Sequence, residues 1–141
     1  MADPFQFDLV SPERLLMSEK VAQVVVPGSD GQFTVLIRHA PLMTTLRPGV
    51  IDVTLAAGRR ERIFVRGGFA DVNADGLTIL AEHAIPLADL DAEALAAEIR
   101  DAEEDVADSG DETVKAVRML KLNQLKEVQS ELGRPAQSGG H

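Results

Sequence analysis

A chain of 141 residues can bury one modest core, and leaves no room for a doubly wound nucleotide fold beside a separate substrate domain. With 45% hydrophobic and 26% charged residues it has the composition of a globular protein, which excludes wholesale disorder. Its 23 acidic residues against 14 basic ones give a net charge of -9, so nucleic acid, which is held by clustered positive charge, is not an expected partner.

The composition changes at Pro86. All five Phe and six of the seven Pro lie at or before it, and the stretch beyond is rich in Ala, Asp, Glu, Leu and Lys. Turn formers among β-branched and aromatic residues predict short strands, and their near-absence afterwards predicts helix. Alternation begins with Phe5, Phe7 and Leu9 on one face of residues 5–10, with Gln6 and Asp8 opposite. Ser11-Pro12-Glu13-Arg14 predicts a turn. The apolar run 21–26 ends in Pro27-Gly28-Ser29-Asp30-Gly31, which favours a hairpin into residues 32–37. Pro48-Gly49 leads into 50–56, and Ala57-Gly58-Arg59-Arg60 turns the chain again. Strands at 61–66 and 69–72 flank Gly67-Gly68, read as a bulge. Ala74-Asp75-Gly76 forms the last hairpin before 77–81. Eight to ten short strands predict an antiparallel β-sandwich or barrel over residues 1–86, with Ile85-Pro86-Leu87 as a linker.

Residues 87–134 predict an antiparallel hairpin of two helices, and 135–141 a disordered tail. Asp89 or Asp91 can cap the first helix, whose apolar seam is Leu95, Ile99, Ala102 and Val106. Residues 107–110 break it, and Asp111 can cap the second. That helix carries Val114, Val117, Leu120, Leu125, Val128 and Leu132, and Gly133 and Pro135 end it. Residues 89–112 hold eleven acidic side chains and one basic one, Arg100. Residues 113–134 carry Lys115, Arg118, Lys121, Lys126 and Arg134 against Glu127 and Glu131. This asymmetry either pairs the helices along their flanks or offers a basic helix to an acidic partner. The Ala-rich first helix has little apolar area, so the hairpin is expected to hold the sandwich weakly.

Catalytic signatures are missing. There is no cysteine for thiolate chemistry or zinc, and His39, His83 and His141 are not at metal-ligand spacing to one another. Glu103-Glu104-Asp105 fans around a helix and does not converge. Asp71-Val72-Asn73-Ala74-Asp75-Gly76 with Glu82 satisfies a calcium-loop pattern. Its flanks predict strands where such a loop needs helices, and an Asp-Gly hairpin turn explains the same letters. No apolar run approaches the ~20 residues of a membrane span. Residues 1–5 lack the features of an export signal, so the chain is expected in the compartment where it is made.

Val10-Ser11-Pro12-Glu13, Gly31-Gln32-Phe33, His39-Ala40-Pro41-Leu42 with Leu46-Arg47-Pro48-Gly49, Gly67-Gly68-Phe69-Ala70 and Leu80-Ala81-Glu82 occur in that order. This set resembles the epsilon subunits of rotary proton-translocating ATP synthases, over about residues 5–131. The resemblance implies a β-sandwich followed by a two-helix hairpin, in a non-catalytic rotor part without cofactor or metal. Its partners would be the gamma subunit, the ring of c subunits and, transiently, the catalytic head. Membrane association would come only through the complex, at the cytoplasmic face of a bacterial inner membrane.

By the same resemblance Ser29, Asp30, Gly31 and Gln32 would face the c-ring, and His39, Ala40, Pro41 and Leu42 would lie toward gamma. Gln32 stands where relatives often carry an acid, and Arg38 departs from their Pro-Gly-His. Lys115, Arg118, Lys121 and Lys126 are the kind of residue with which the hairpin of bacterial members brakes ATP hydrolysis. The nucleotide motif at the start of the first helix is degenerate: Leu90 and Asp91 are present, but Ala94 replaces the arginine that would pair with phosphate. Weak or no ATP binding is expected. From the residues alone, His39 can simply close its loop with a backbone bond. The alternative to a rotor part is a free-standing β-sandwich ligand sensor with a helical lid.

Overall fold

A computed structural model describes residues 3–133; the tail expected to be disordered lies outside the described residues. Nine strands come first: β1 (Phe5–Val10), β2 (Leu15–Gly28), β3 (Gly31–Val35), β4 (Leu42–Leu46), β5 (Gly49–Leu55), β6 (Arg60–Val65), β7 (Gly68–Asn73), β8 (Gly76–Ala81) and β9 (Ala84–Pro86). A 3-10 turn (Leu87–Asp89) then leads into helices α1 (Ala92–Ala107) and α2 (Glu112–Leu132).

The long strand β2 belongs to both layers of the sandwich. Its first half pairs with β1, and the layer continues through β8 and β7 to β4. Its second half lies between β3 and β5, followed by β6 and β9. The register slips between Val21 and Gln23, where the strand passes from one layer to the other. Pairing is antiparallel except between β1 and β8, which run parallel. The period-two apolar residues meet between the layers. Phe7, Val21, Val24, Val26, Ile51, Val53 and Ile79 lie at the centre of this core, without exposure to solvent.

The β6 run Ile63-Phe64-Val65 is buried on both faces. Ile63 and Val65 enter the sandwich core, whereas Phe64 points outward into a second cluster with Leu87, Leu95, Ile99, Ala102, Leu122, Leu125 and Val128. The hairpin therefore lies folded down on the outer face of the β3-β2-β5-β6-β9 layer.

Three local expectations change. Ile85 and Pro86 are not linker but the end of β9, which pairs Ala84 with Val65 and Ile85 with Phe64. Gly67-Gly68 is not a bulge inside a ladder: both have positive φ where the chain crosses from β6 to β7, and Gly68 pairs in register with Ala81. The α2 seam is buried only in its second half, where it also takes in Leu122; Val114, Val117 and Leu120 remain exposed. Strands β4 and the first part of β2 carry too few β-branched residues in alternation to stand out in the sequence.

Candidate functional site

Ser29, Asp30, Gly31 and Gln32 are brought together at the exposed tip of the β2–β3 hairpin. Gly31, at φ +138, makes the turn in a conformation that side chains resist. The tip is fastened to β4: the Ser29 amide donates to the Thr45 carbonyl at 3.0 Å, and the two hydroxyls lie 2.5 Å apart.

His39, Ala40, Pro41 and Leu42 lie at the other end of β4, in the connection from β3. Arg38 has φ +65, and the His39 amide closes the loop on the Leu36 carbonyl at 3.1 Å. The His39 ring nitrogen Nδ1 lies 2.7 Å from the Ala40 carbonyl, and its ring is 6.1 Å from that of Phe33. The imidazole thus has a local structural use, while Ala40, Pro41 and Leu42 are exposed.

The four basic residues of α2 divide by use. Arg118 donates to the Asp105 carbonyl at 2.8 Å and the Ser109 hydroxyl at 3.2 Å, fixing the hairpin turn. Lys126 lies 3.9 Å from Glu103 on α1. Lys115 and Lys121 are exposed, and among the described residues they form no ion pair. The degenerate nucleotide motif has become a helix start. Leu90 packs against the hairpin cluster, and the Asp91 carboxylate caps α1 by accepting from the amides of Glu93 (2.9 Å) and Ala94 (3.3 Å).

The calcium-pattern residues fall on the β7–β8 hairpin. Asp71 and Asn73 are in β7, the Asp75 amide donates to Asn73 Oδ1 at 2.8 Å, and Glu82 follows β8. A two-strand hairpin replaces the helix-loop-helix that the motif requires.

One surface escaped the sequence reading. Across the outer face of the layer made by β4, β7, β8, β1 and β2, Thr45, Phe69, Leu80, Val10 and Leu15 stand in register. Phe69 is 51% exposed, Leu80 45% and Leu15 58%, and Met43 beside them on β4 is 70% exposed. A row of large apolar side chains on a solvated sheet face is unusual, because that face ordinarily carries the polar half of the alternation. Phe69 and Leu80 break the phase set by Ala70 and Val72 and by Leu77, Ile79 and Ala81, and that break is the signal in the sequence. Leu42 pairs with the buried Val72 and so belongs to the other face of β4, where it is exposed only because the strand begins there.

Residues 4–87 match the family model of the ATP synthase delta/epsilon chain β-sandwich domain. An ATP synthase epsilon chain of Parvibaculum lavamentivorans is 54% identical over 128 residues, 91% of this chain and 97% of that protein. One of Mesorhizobium japonicum is 50% identical over 125 residues, covering 89% and 93%. Among solved structures, a chain of the Euglena gracilis mitochondrial ATP synthase assembly (OSCP, F1 and c-ring) aligns with TM-score 0.78 at 27% identity, covering 92% of this chain and 81% of that one. A chain of the Tetrahymena thermophila central stalk and c-ring aligns with TM-score 0.61 at 11% identity, a likeness of fold. With its sandwich matched by the family model and nearly its whole length shared with curated epsilon chains, this chain belongs to the ATP synthase delta/epsilon family.

Proposed function

We propose that the chain is a non-catalytic central-stalk subunit that joins gamma to the c-ring and so helps couple proton-driven rotation to ATP synthesis. The observation that carries this reading is the exposed apolar row Phe69–Leu80–Val10–Leu15 with Met43. A rotor part must hold its neighbour through many turns, and apolar area removed from water gives roughly 25 cal/mol per Å² for that purpose. The row takes the gamma side. The polar tip Ser29–Asp30–Gly31–Gln32 takes the polar loops of the ring, in a wet contact.

The hairpin is the regulatory element of this proposal. Lys115 and Lys121 are exposed on α2, as are Val117 and Leu120, and they give the helix basic and apolar side chains fit to meet an acidic surface of the catalytic head and slow hydrolysis. No ATP site is proposed, since Asp91 is engaged at the α1 cap and Ala94 brings no charge. Among the described residues no helix is long and apolar enough to cross a membrane. The proposal places the chain at the cytoplasmic face of the bacterial inner membrane through its partners.

Affinity capture of tagged full-length protein from gently solubilised source membranes tests this reading. Recovery of gamma and c subunits is expected. Recovery of neither would count against the rotor role and move the free-standing sensor ahead of it. For the brake, removing residues 88–141 is expected to raise the ATPase activity of the assembled complex, and an unchanged rate would remove the hairpin's regulatory role.

A further inference from the structure

The docked hairpin is fastened in an unusual way. The outer face beneath it has a single apolar row, Val50, Phe64 and Ile85, in register across β5, β6 and β9. Three ion pairs flank that row. Arg47 Nη1 lies 3.2 Å from Glu127 Oε2, and Arg62 Nη1 lies 3.6 Å from Glu131 Oε2 and donates to the Glu131 carbonyl at 3.1 Å. Arg66 grips Glu98 with both terminal nitrogens, at 3.1 and 2.5 Å, while its guanidinium lies 5.0 Å from the Phe64 ring centroid. In every case the arginine belongs to the sandwich and the glutamate to the hairpin. Two pairs hold α2 and one holds α1.

We infer that these three pairs are an electrostatic latch, which keeps the hairpin folded down and makes its release dependent on ionic conditions. The uniform polarity is what distinguishes a latch from scattered surface pairs. The sandwich presents positive charge on both sides of an apolar row, and the hairpin presents negative charge on both of its helices. Any ion that screens or competes for one pair acts on all three in the same direction. The three glutamate side chains are 34–62% exposed, so dissolved ions reach every pair. The apolar contact is also incomplete. Only Leu122, Leu125 and Val128 of α2 are buried, and Val114, Val117 and Leu120 are left in water in the folded-down state. Beside the apolar cluster around Phe64, three aligned pairs acting in the same direction can shift the balance between docked and lifted hairpin.

This inference concerns the chain by itself, so it can be tested whether or not the rotor reading holds. The sequence has no cysteine, which permits clean labelling of Ala57→Cys, in the exposed β5–β6 turn, and Gly110→Cys, at the hairpin tip where an added side chain meets nothing within 4 Å. Pulsed electron–electron spin resonance between labels then reports hairpin position. Raising sodium chloride from about 0.05 M to about 1 M, which shortens the screening length to roughly 3 Å, is expected to increase the lifted population roughly tenfold.

The triple variant Glu98→Lys, Glu127→Lys and Glu131→Lys is expected to be lifted at low salt and to lose that increase. The charge exchange Arg47→Glu with Glu127→Arg is expected to restore docking relative to Glu127→Arg alone. That comparison keeps the test decisive should the triple variant lose helix. A distance distribution independent of salt, or an exchange that restores nothing, would overturn the latch.

Discussion

At Gly68 the backbone has φ +133, and a methyl group built there would overlap the Leu80 carbonyl oxygen of the neighbouring strand. Gly68→Ala therefore meets conformational strain and a backbone clash at once. It is expected to cost about 2–4 kcal/mol in urea or thermal unfolding. Gly110→Ala, with open space around it and no positive φ, is expected to stay within about 0.5 kcal/mol of the parent. The Gly-Gly pair was visible in the sequence, but its geometry was not. A ladder bulge and a crossing between layers call for the same letters, and only the pairing of Gly68 with both Leu46 and Ala81 separates them.

Asp8 offers a pH test at the same scale. Hydrogen bonds from Ser18 (2.6 Å) and then Gln6 (3.0 Å) hold its carboxyl below the usual aspartate value of 3.8. A lowered folded-state pKa contributes stability above the unfolded value, and that contribution is lost as pH falls through the folded one. Unfolding curves are thus expected to show a small stability gap between wild type and Asp8→Asn at neutral pH, closing well below pH 3.8.

Among the elements, β6 and α2 carry the junction between the two parts of the molecule. Phe64 is 2% exposed and packs with the hairpin, while its neighbours Ile63 and Val65 fill the sandwich. Phe64→Ala is expected to weaken docking by about 3 kcal/mol. Hydrogen exchange should then quicken in α1 and α2 while β7 and β8 keep their protection. Asp91→Ala removes the α1 cap and is expected to destabilise that helix by about 1 kcal/mol, read as lost helical signal on heating.

The helices themselves were legible, because a 3.6-residue apolar period and an aspartate before each start are local properties. The covered part of the α2 seam was not legible. Val117 and Leu125 carry the same pattern, yet one is in water and the other buried, since the sheet reaches beneath only half of the helix. The latch arginines were equally silent. Arg47, Arg62 and Arg66 are far from their glutamates in sequence and meet them only after the hairpin folds back.

For the whole molecule, the two outer faces of the sandwich have different fates. One is covered by the chain's own hairpin, and the other exposes Met43, Phe69, Leu80 and Leu15. The composition shift at Pro86 and the period-two runs announced a sandwich and a hairpin. The assignment of gamma contacts to His39–Leu42 rests on the family resemblance, whereas the larger apolar face appears only when β4, β7, β8, β1 and β2 are set in register.

The most direct test of the rotor account is the affinity of full-length wild type and Phe69→Glu for purified gamma, measured by titration calorimetry with circular dichroism to confirm folding. Phe69 is half exposed, so the charge should leave the sandwich intact. A loss of about a hundredfold is expected, as for a central apolar anchor. Unchanged binding by a folded Phe69→Glu protein would contradict the claim that this face holds gamma.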